Sequence, residues 1–228
     1  MVCRYKIKDI IIFSVFITGF CAQARDNHEC IFTHIYQKAI WGKNTDGKGS
    51  SGGGSLERAT VQYRDFLQHF LKEKKIKTVV DAGCGDWQFS RLVDWSGIEY
   101  IGYDIVGSVI ENNIKKYGSS ALIFIHGNFL SIDLPSADLL LCKHVLQHLT
   151  NADIISFLPQ LKKYKYCLIT NQVNPRTLSG SNKDIRAGGG RKLDLTKSPF
   201  YLDGQKALNY DIKGLGTHQI LLVDNTKA

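Results

Sequence analysis

Five short apolar runs, at residues 78–81, 100–104, 122–125, 138–142 and 166–170, alternate with segments of helical spacing, and this alternation constrains the fold more than any other feature. Each run is close to continuously apolar instead of alternating in and out, as strands covered on both faces must be. Between the runs, residues 87–95, 107–117 and 151–163 read as helices. Ahead of the first run, Ala59, Tyr63, Phe66, Leu67, Phe70 and Leu71 recur at intervals of three and four, with Ser55 placed to cap that helix. A last run at 219–223 reads as a final strand. Strand–helix alternation of this kind predicts an α/β fold, a doubly wound and mostly parallel sheet with helices on both faces. A chain of 228 residues with 43% apolar content fits one such domain and excludes a wholly disordered chain.

The ends and loops divide the chain further. Arg4, Lys6 and Lys8 precede an apolar stretch from Ile10 to Cys21 and then Ala22, Gln23 and Ala24, the layout of an export leader cleaved after Ala24. The stretch is short for a membrane span. Residues 1–24 are therefore expected to be a signal peptide, or else an N-terminal anchor or a misassigned start, which leaves a secreted or periplasmic protein against a membrane-anchored or cytoplasmic one. Residues 25–55 form an N-terminal segment ending in a Gly/Ser-rich stretch, which reads as a flexible linker or as a flap over a ligand. Residues 56–228 form the catalytic-size domain. The net charge of +8 comes without a block of five or six basic residues, so no nucleic-acid motif stands out. The six cysteines contain no CxxC pair, which disfavours a zinc ribbon and leaves no metal site to assign.

The first run ends in Asp81, Ala82, Gly83, Cys84, Gly85 and Asp86, a strand running into a glycine turn. Glycines there permit close backbone approach to a ligand. Gln88 stands where a dinucleotide fingerprint has its third glycine, and a carboxylate at Asp81 would repel a pyrophosphate. An acid beside the turn suits a cationic ligand instead. Asp104, at the tip of the second run, is placed to accept hydrogen bonds from both hydroxyls of a ribose. A ribose-binding acid, a glycine turn and a second acid together suit S-adenosylmethionine, which carries positive charge and no phosphate.

On Val79 to Asp86, Tyr100 to Asp104, and Asp138 to Leu149, the sequence resembles the class I S-adenosylmethionine-dependent methyltransferases. The resemblance spans residues 56–171 and implies their Rossmann-like sheet. Trp41-Gly42, Gly52 to Leu56 and Asp184 to Leu195 further resemble a bacterial subgroup of small methyltransferases of undefined substrate. By position, it implies that Asp81, Gly83, Cys84 and Gly85 surround the methionine part of the cofactor and that Asp104 binds the ribose. Ile105, Asn128, Phe129 and Cys142 complete the cofactor site. Asn128 stands where such enzymes often carry an acid for the adenine amino group, and an amide can still pair with adenine. Lys143 and His144 then lie where the methyl group meets its acceptor, a small molecule or macromolecule. His148 is expected to be structural. The stretch 176–197 carries Arg176, Lys183, Arg186, Arg191, Lys192 and Lys197 against Asp184 and Asp194. It reads as a solvated loop or as a lid favouring an anionic or sugar-like acceptor. Methyl transfer competes here with a catalytically inactive binding protein of the same fold and with a nicotinamide-dependent oxidoreductase.

Overall fold

The computed structural model describes residues 18–173 and 182–227, with side chains from residue 27 onward. Most of the leader segment, and Arg176, lie outside the described residues. Seven strands form one sheet: β1 (Thr78–Ala82), β2 (Glu99–Asp104), β3 (Leu122–His126), β4 (Ala137–Lys143), β5 (Tyr164–Gln172), β6 (Gln205–Ile212) and β7 (Gly216–Asp224). Their order is β3-β2-β1-β4-β5-β7-β6. β1 to β5 pair in parallel, and β7 runs antiparallel between β5 and β6. The strand order reverses between β1 and β4, and a crevice opens there at the carboxyl ends.

Four α-helices accompany the sheet: α1 (Thr18–Gln37), α2 (Val61–Glu73), α3 (Gly107–Tyr117) and α4 (Asn151–Phe157). Strand alternation sends Val79, Leu139, Leu141 and Leu168 to one face, where they pack with Tyr63, Leu67 and Phe70 of α2. Val80, Ala82, Leu140, Cys142, Cys167 and Ile169 face the other side and meet Phe157 of α4 with Leu193 and Leu195. α4 starts at a capping box, in which the Thr150 hydroxyl accepts from the Asp153 N–H and the Asp153 carboxylate from the Thr150 N–H. Among the described residues, no helix is long and apolar enough to cross a membrane.

The expected helix at 87–95 does not form; only a 3-10 turn, Ser90–Leu92, is present. Trp87, Phe89, Val93 and Trp95, spaced by two and four, do not share one helix face, and they are buried together in an aromatic cluster with Tyr63, Tyr100 and Phe124. Trp87 enters it with φ 56°, which ends any helix before it starts. Ser55 does not cap α2 either: it is buried in the 3-10 turn Gly53–Ser55, and α2 begins after Thr60. β6 went unread because Gln205, Lys206, Asn209 and Asp211 break its apolar pattern, as an edge strand permits.

The Gly/Ser-rich stretch is a folded strap. Lys43 and Gly49 form an antiparallel bridge around a turn in which the Asn44 carboxamide oxygen accepts from the N–H groups of Asp46 and Lys48. Lys116 of α3 ties Asp46 down at 2.5 Å. Gly49 lies so close to Tyr36 that a Cβ there would stand 1.8 Å from the Tyr36 carbonyl oxygen.

Candidate active site

The turn after β1 has its backbone donors already committed. The N–H groups of Gly83 and Cys84 both point to the Tyr103 carbonyl at 2.9 Å. Gly85 N–H donates to Asp104 Oδ2 at 2.9 Å, and Asp86 N–H to Ser51 Oγ at 2.9 Å. A phosphate cradle needs such N–H groups free and convergent. Three carboxylates surround the turn instead, Asp81, Asp86 and Asp104, all buried. Gly83 and Gly85 hold φ values of 86° and 57°, and added Cβ atoms would stand 2.4 Å from Val145 and 2.2 Å from Ser51.

Each acid is held differently. Asp81 Oδ2 accepts from the Tyr100 hydroxyl at 2.7 Å, and Trp87 Nε1–H donates to that hydroxyl at 3.0 Å. Burial pushes the Asp81 carboxyl up to about 7, against the Tyr100 hydrogen bond, with the Asp104 charge adding to the rise. Asp104 accepts from Gly85 and, at 2.9 Å, from Val106 N–H, yet burial still lifts it to about 6. Asp86 is raised by burial and opposed by hydrogen bonds from Ser51 and Gln88. None of the three makes an ion pair within 4 Å among the described residues, the Lys143 charge acting on Asp81 only from further off, and a cationic ligand would supply a close counter-charge.

The chain N-terminal to the sheet closes the cleft. Tyr36 of α1 donates its hydroxyl to Ser51 Oγ at 2.7 Å, and Ser51 donates to Asp86 Oδ1 at 2.6 Å. His28 is tied to Asp153 of α4 at 3.1 Å. Together with Phe32 and Trp41, these residues line a cleft that also takes in Asp81, Gly83, Cys84, Gly85, Asp104, Ile105, Asn128, Phe129, Lys143 and His144. The cleft holds about 860 Å³ of empty space with its open mouth included. A flap over the ligand was one of the two readings of the glycine stretch; the contribution of residues 28–41 is the part that sequence reasoning missed. Its signal was the aromatic set Phe32, Tyr36 and Trp41 next to the glycines.

Lys143, the last residue of β4, is 8% exposed. Its Nζ donates to the Gly54 carbonyl at 2.8 Å and lies over the rings of Phe89 and Tyr63, at 4.7 and 5.3 Å from their centroids. Burial depresses its pKa to about 7, with the Asp81 charge opposing. His144 is held well below the usual imidazole range by burial and by Lys143. His148 Nδ1–H donates to the Gly189 carbonyl at 2.6 Å, and its ring stands 4.7 Å from that of Trp41, the placement of a bridging side chain.

Two expectations change. The Cys142 side chain does not line the cleft; alternation along β4 turns it to the opposite face, fully buried beside Val80 and Leu140. In the described part of the basic stretch, residues 182–197, Lys183, Arg186, Lys192 and Lys197 are exposed as a solvated loop would have them, but the segment is anchored at Arg191 and at Leu193 to Leu195. The Arg191 guanidinium is 6% exposed and donates to Asn151 Oδ1, Lys183 O and Leu149 O at 2.6–2.8 Å, while Leu193 and Leu195 are core. Among the described residues, no group of His, Cys, Asp and Glu is placed to hold a metal ion.

A family model described as a methyltransferase domain matches residues 80–163. No curated protein matches the sequence. Among solved structures, magnesium protoporphyrin IX methyltransferase from Synechocystis, with bound S-adenosylhomocysteine, is 17% identical with a TM-score of 0.57, over 89% of this chain and 98% of that one. The methyltransferase domain of a bacterial Hen1 is 15% identical with a TM-score of 0.53, over 72% and 97%. Mitomycin 7-O-methyltransferase is 16% identical with a TM-score of 0.54, over 74% and 56%. At such identities the likeness speaks for the fold.

Proposed function

We propose that this chain is a class I S-adenosylmethionine-dependent methyltransferase, and that the cleft between α1, the strap and the ends of β1, β2 and β4 holds the methyl donor and presents its methyl group beside Lys143. The observation that carries this is the state of the turn: its N–H groups are spent inside the protein while three buried carboxylates converge on it. That environment rejects a pyrophosphate and favours a cation, which also disfavours the nicotinamide reading.

S-adenosylmethionine, when bound, supplies a methyl group already activated by a positive sulfur. The residues present fit it. Asp104 keeps acceptor capacity on both oxygens for a ribose, since each has accepted only one backbone N–H. Asp81 faces the charged methionine end, and Asn128, Ile105 and Phe129 line the adenine side. The chain's own contribution is to orient the acceptor, shield the cleft from water through Tyr36, Trp41 and Ser51, and receive a proton where the acceptor carries one.

For the acceptor we infer a small anionic or polyhydroxylated molecule. The support is the Lys143 amine, with the rings of Trp41 and His148 lining the same cleft. The test is to incubate the protein with donor labelled in its methyl group and fractionated small molecules from cell extract. Label in a sugar or acid fraction is the expected result. Label confined to protein or nucleic acid would refute the acceptor class, and no calorimetric binding of S-adenosylhomocysteine would refute methyl transfer itself.

A further inference from the structure

We propose that His218 of β7 is a positioning residue: it fixes the tautomer of His144 and so aims the free lone pair of the Lys143 amine at the acceptor. This rests on the methyl-transfer reading above and assigns the proton-accepting role within it.

His144 has no ring nitrogen left to serve as that base. Its Nδ1 lies 3.3 Å from Lys143 Nζ, and its Nε2 lies 2.8 Å from His218 Nδ1. The backbone enforces this arrangement. His144 leaves β4 with φ 57°, a conformation rare for a side-chain-bearing residue, which lifts the ring off the sheet. Gly54 then packs against the ring edge, where an added Cβ would stand 2.6 Å from Nδ1. His218 is braced in turn by Tyr210, its cross-strand neighbour, whose ring stacks on it at 5.6 Å.

The direction of the hydrogen bonds follows from the donors. An ammonium has no lone pair, so Lys143 in its charged state donates to His144 Nδ1 and imposes the tautomer by itself; it is when Lys143 is neutral that His218 Nδ1, by accepting from His144 Nε2–H, has to hold it. The His144 proton then sits on Nε2 and is donated to His218 Nδ1. When Lys143 is neutral, the same tautomer leaves its two hydrogens on the Gly54 carbonyl and on His144, and its lone pair is the remaining direction. The opposite tautomer would consume that lone pair in accepting from His144. The chosen one places a proton on His218 Nε2, which has no hydrogen-bond partner among the described residues, a cost the arrangement carries.

The step balances as follows. An acceptor O–H or N–H gives its proton to Lys143 Nζ while the acceptor atom bonds the methyl carbon. The electron pair of the breaking C–S bond stays on sulfur, and the positive charge of the sulfonium reappears as the Lys143 ammonium. The ammonium releases its proton to solvent when the products leave. Asp81, on the adjacent strand of the same face, eases the charged state of Lys143.

The test uses the full-length protein labelled with nitrogen-15. Long-range proton–nitrogen correlation reads the two ring nitrogens of each histidine, and calorimetry with S-adenosylhomocysteine runs in parallel. In the parent, His144 should show a bare Nδ1 and a protonated Nε2. His218→Leu should lose that single tautomer, with Nδ1–H appearing, while S-adenosylhomocysteine affinity changes less than about twofold. His218→Asn keeps an acceptor oxygen where Nδ1 stood and should restore the parent spectrum. A parent His144 protonated on Nδ1 overturns the proposal, even if the leucine variant does not fold. So does a folded His218→Leu protein with an unchanged His144. Failure of the parent to bind S-adenosylhomocysteine refutes methyl transfer instead, and the base role falls with it.

Discussion

Asp81 and Asp104 share burial but differ in what satisfies them, and this separates two predictions. Asp104 accepts two backbone N–H groups and has capacity left for a ribose. Asp104→Asn should weaken S-adenosylhomocysteine binding by about 1.4 kcal/mol or more, a tenfold loss, because a charge-assisted acceptor becomes a neutral one. Isothermal calorimetry checks it, and equal affinity would remove the ribose assignment. Asp81 makes its prediction through pH. Folding raises its pKa from near 4 to about 7, so across that window the native state holds a proton the unfolded chain has released. The contribution of Asp81 to the stability of the ligand-free protein is then full below about pH 4 and declines as the pH climbs to about 7. Lys143 acts in the opposite sense and at higher pH: its depressed pKa makes stability rise above about 7. Urea unfolding at stepped pH should show the decline below 7 in the parent and a flattened slope in Asp81→Asn. An unchanged slope would mean that the carboxylate is not desolvated in solution. Both acids were legible in the sequence because their role is local: a strand tip, a glycine turn and the next strand tip bring them together with few long-range conditions. The Cys142 side chain was misplaced by a single step of strand alternation.

The elements that escaped the sequence are those whose conformation is decided by distant partners. Residues 42–55 have the composition of a linker, yet Ser51 is the hub of hydrogen bonds to Tyr36 and Asp86, and Gly54 anchors Lys143. Ser51→Ala removes these bonds and leaves the Asp86 N–H unpaired. It should cost about 1–2 kcal/mol of stability and weaken S-adenosylhomocysteine binding severalfold. Thermal unfolding with and without the ligand measures both, and a variant equal to the parent would return the strap to a plain linker. The basic stretch teaches the converse. Arg191 read as a surface charge, but its guanidinium staples the start of α4 to the 182–191 segment. Arg191→Ala should destabilise the protein by about 2 kcal/mol while folded protein keeps its ligand affinity. Loss of affinity at unchanged stability would instead place that side chain in the site. At 87–95 the apolar residues do not share one helix face, and the aromatic residues are satisfied by burial around Tyr100 without a helix. The edge strand β6 needed a partner, β7, that no local pattern reveals.

At the scale of the molecule, the sheet supplies the floor of the site and the chain before residue 56 supplies its roof, so the doubly wound core was readable while the enclosure was not. This division gives a test of the N-terminal boundary. α1 (Thr18–Gln37) spans the expected cleavage after Ala24, and among the described side chains those of α1 that line the cleft, His28, Phe32 and Tyr36, lie beyond that point. Their ties also lie beyond it, His28 to Asp153 and Tyr36 to Ser51. A protein lacking residues 1–24 should therefore bind S-adenosylhomocysteine within about twofold of the full chain, whether or not a leader is removed in the cell. A protein lacking residues 1–41 loses the apolar contacts of Phe32 and Trp41 as well as the Tyr36 hydroxyl, and it opens the cleft to water. Burying one large aromatic side chain is worth roughly 1.5–3 kcal/mol, so affinity should fall at least tenfold even if the sheet remains folded. Circular dichroism establishes folding and calorimetry reads the affinity. If the longer truncation folds and binds as tightly as the shorter one, α1 and Trp41 are a covering with no part in the site, and the cleft must be closed by the strap and the loops at the strand ends alone.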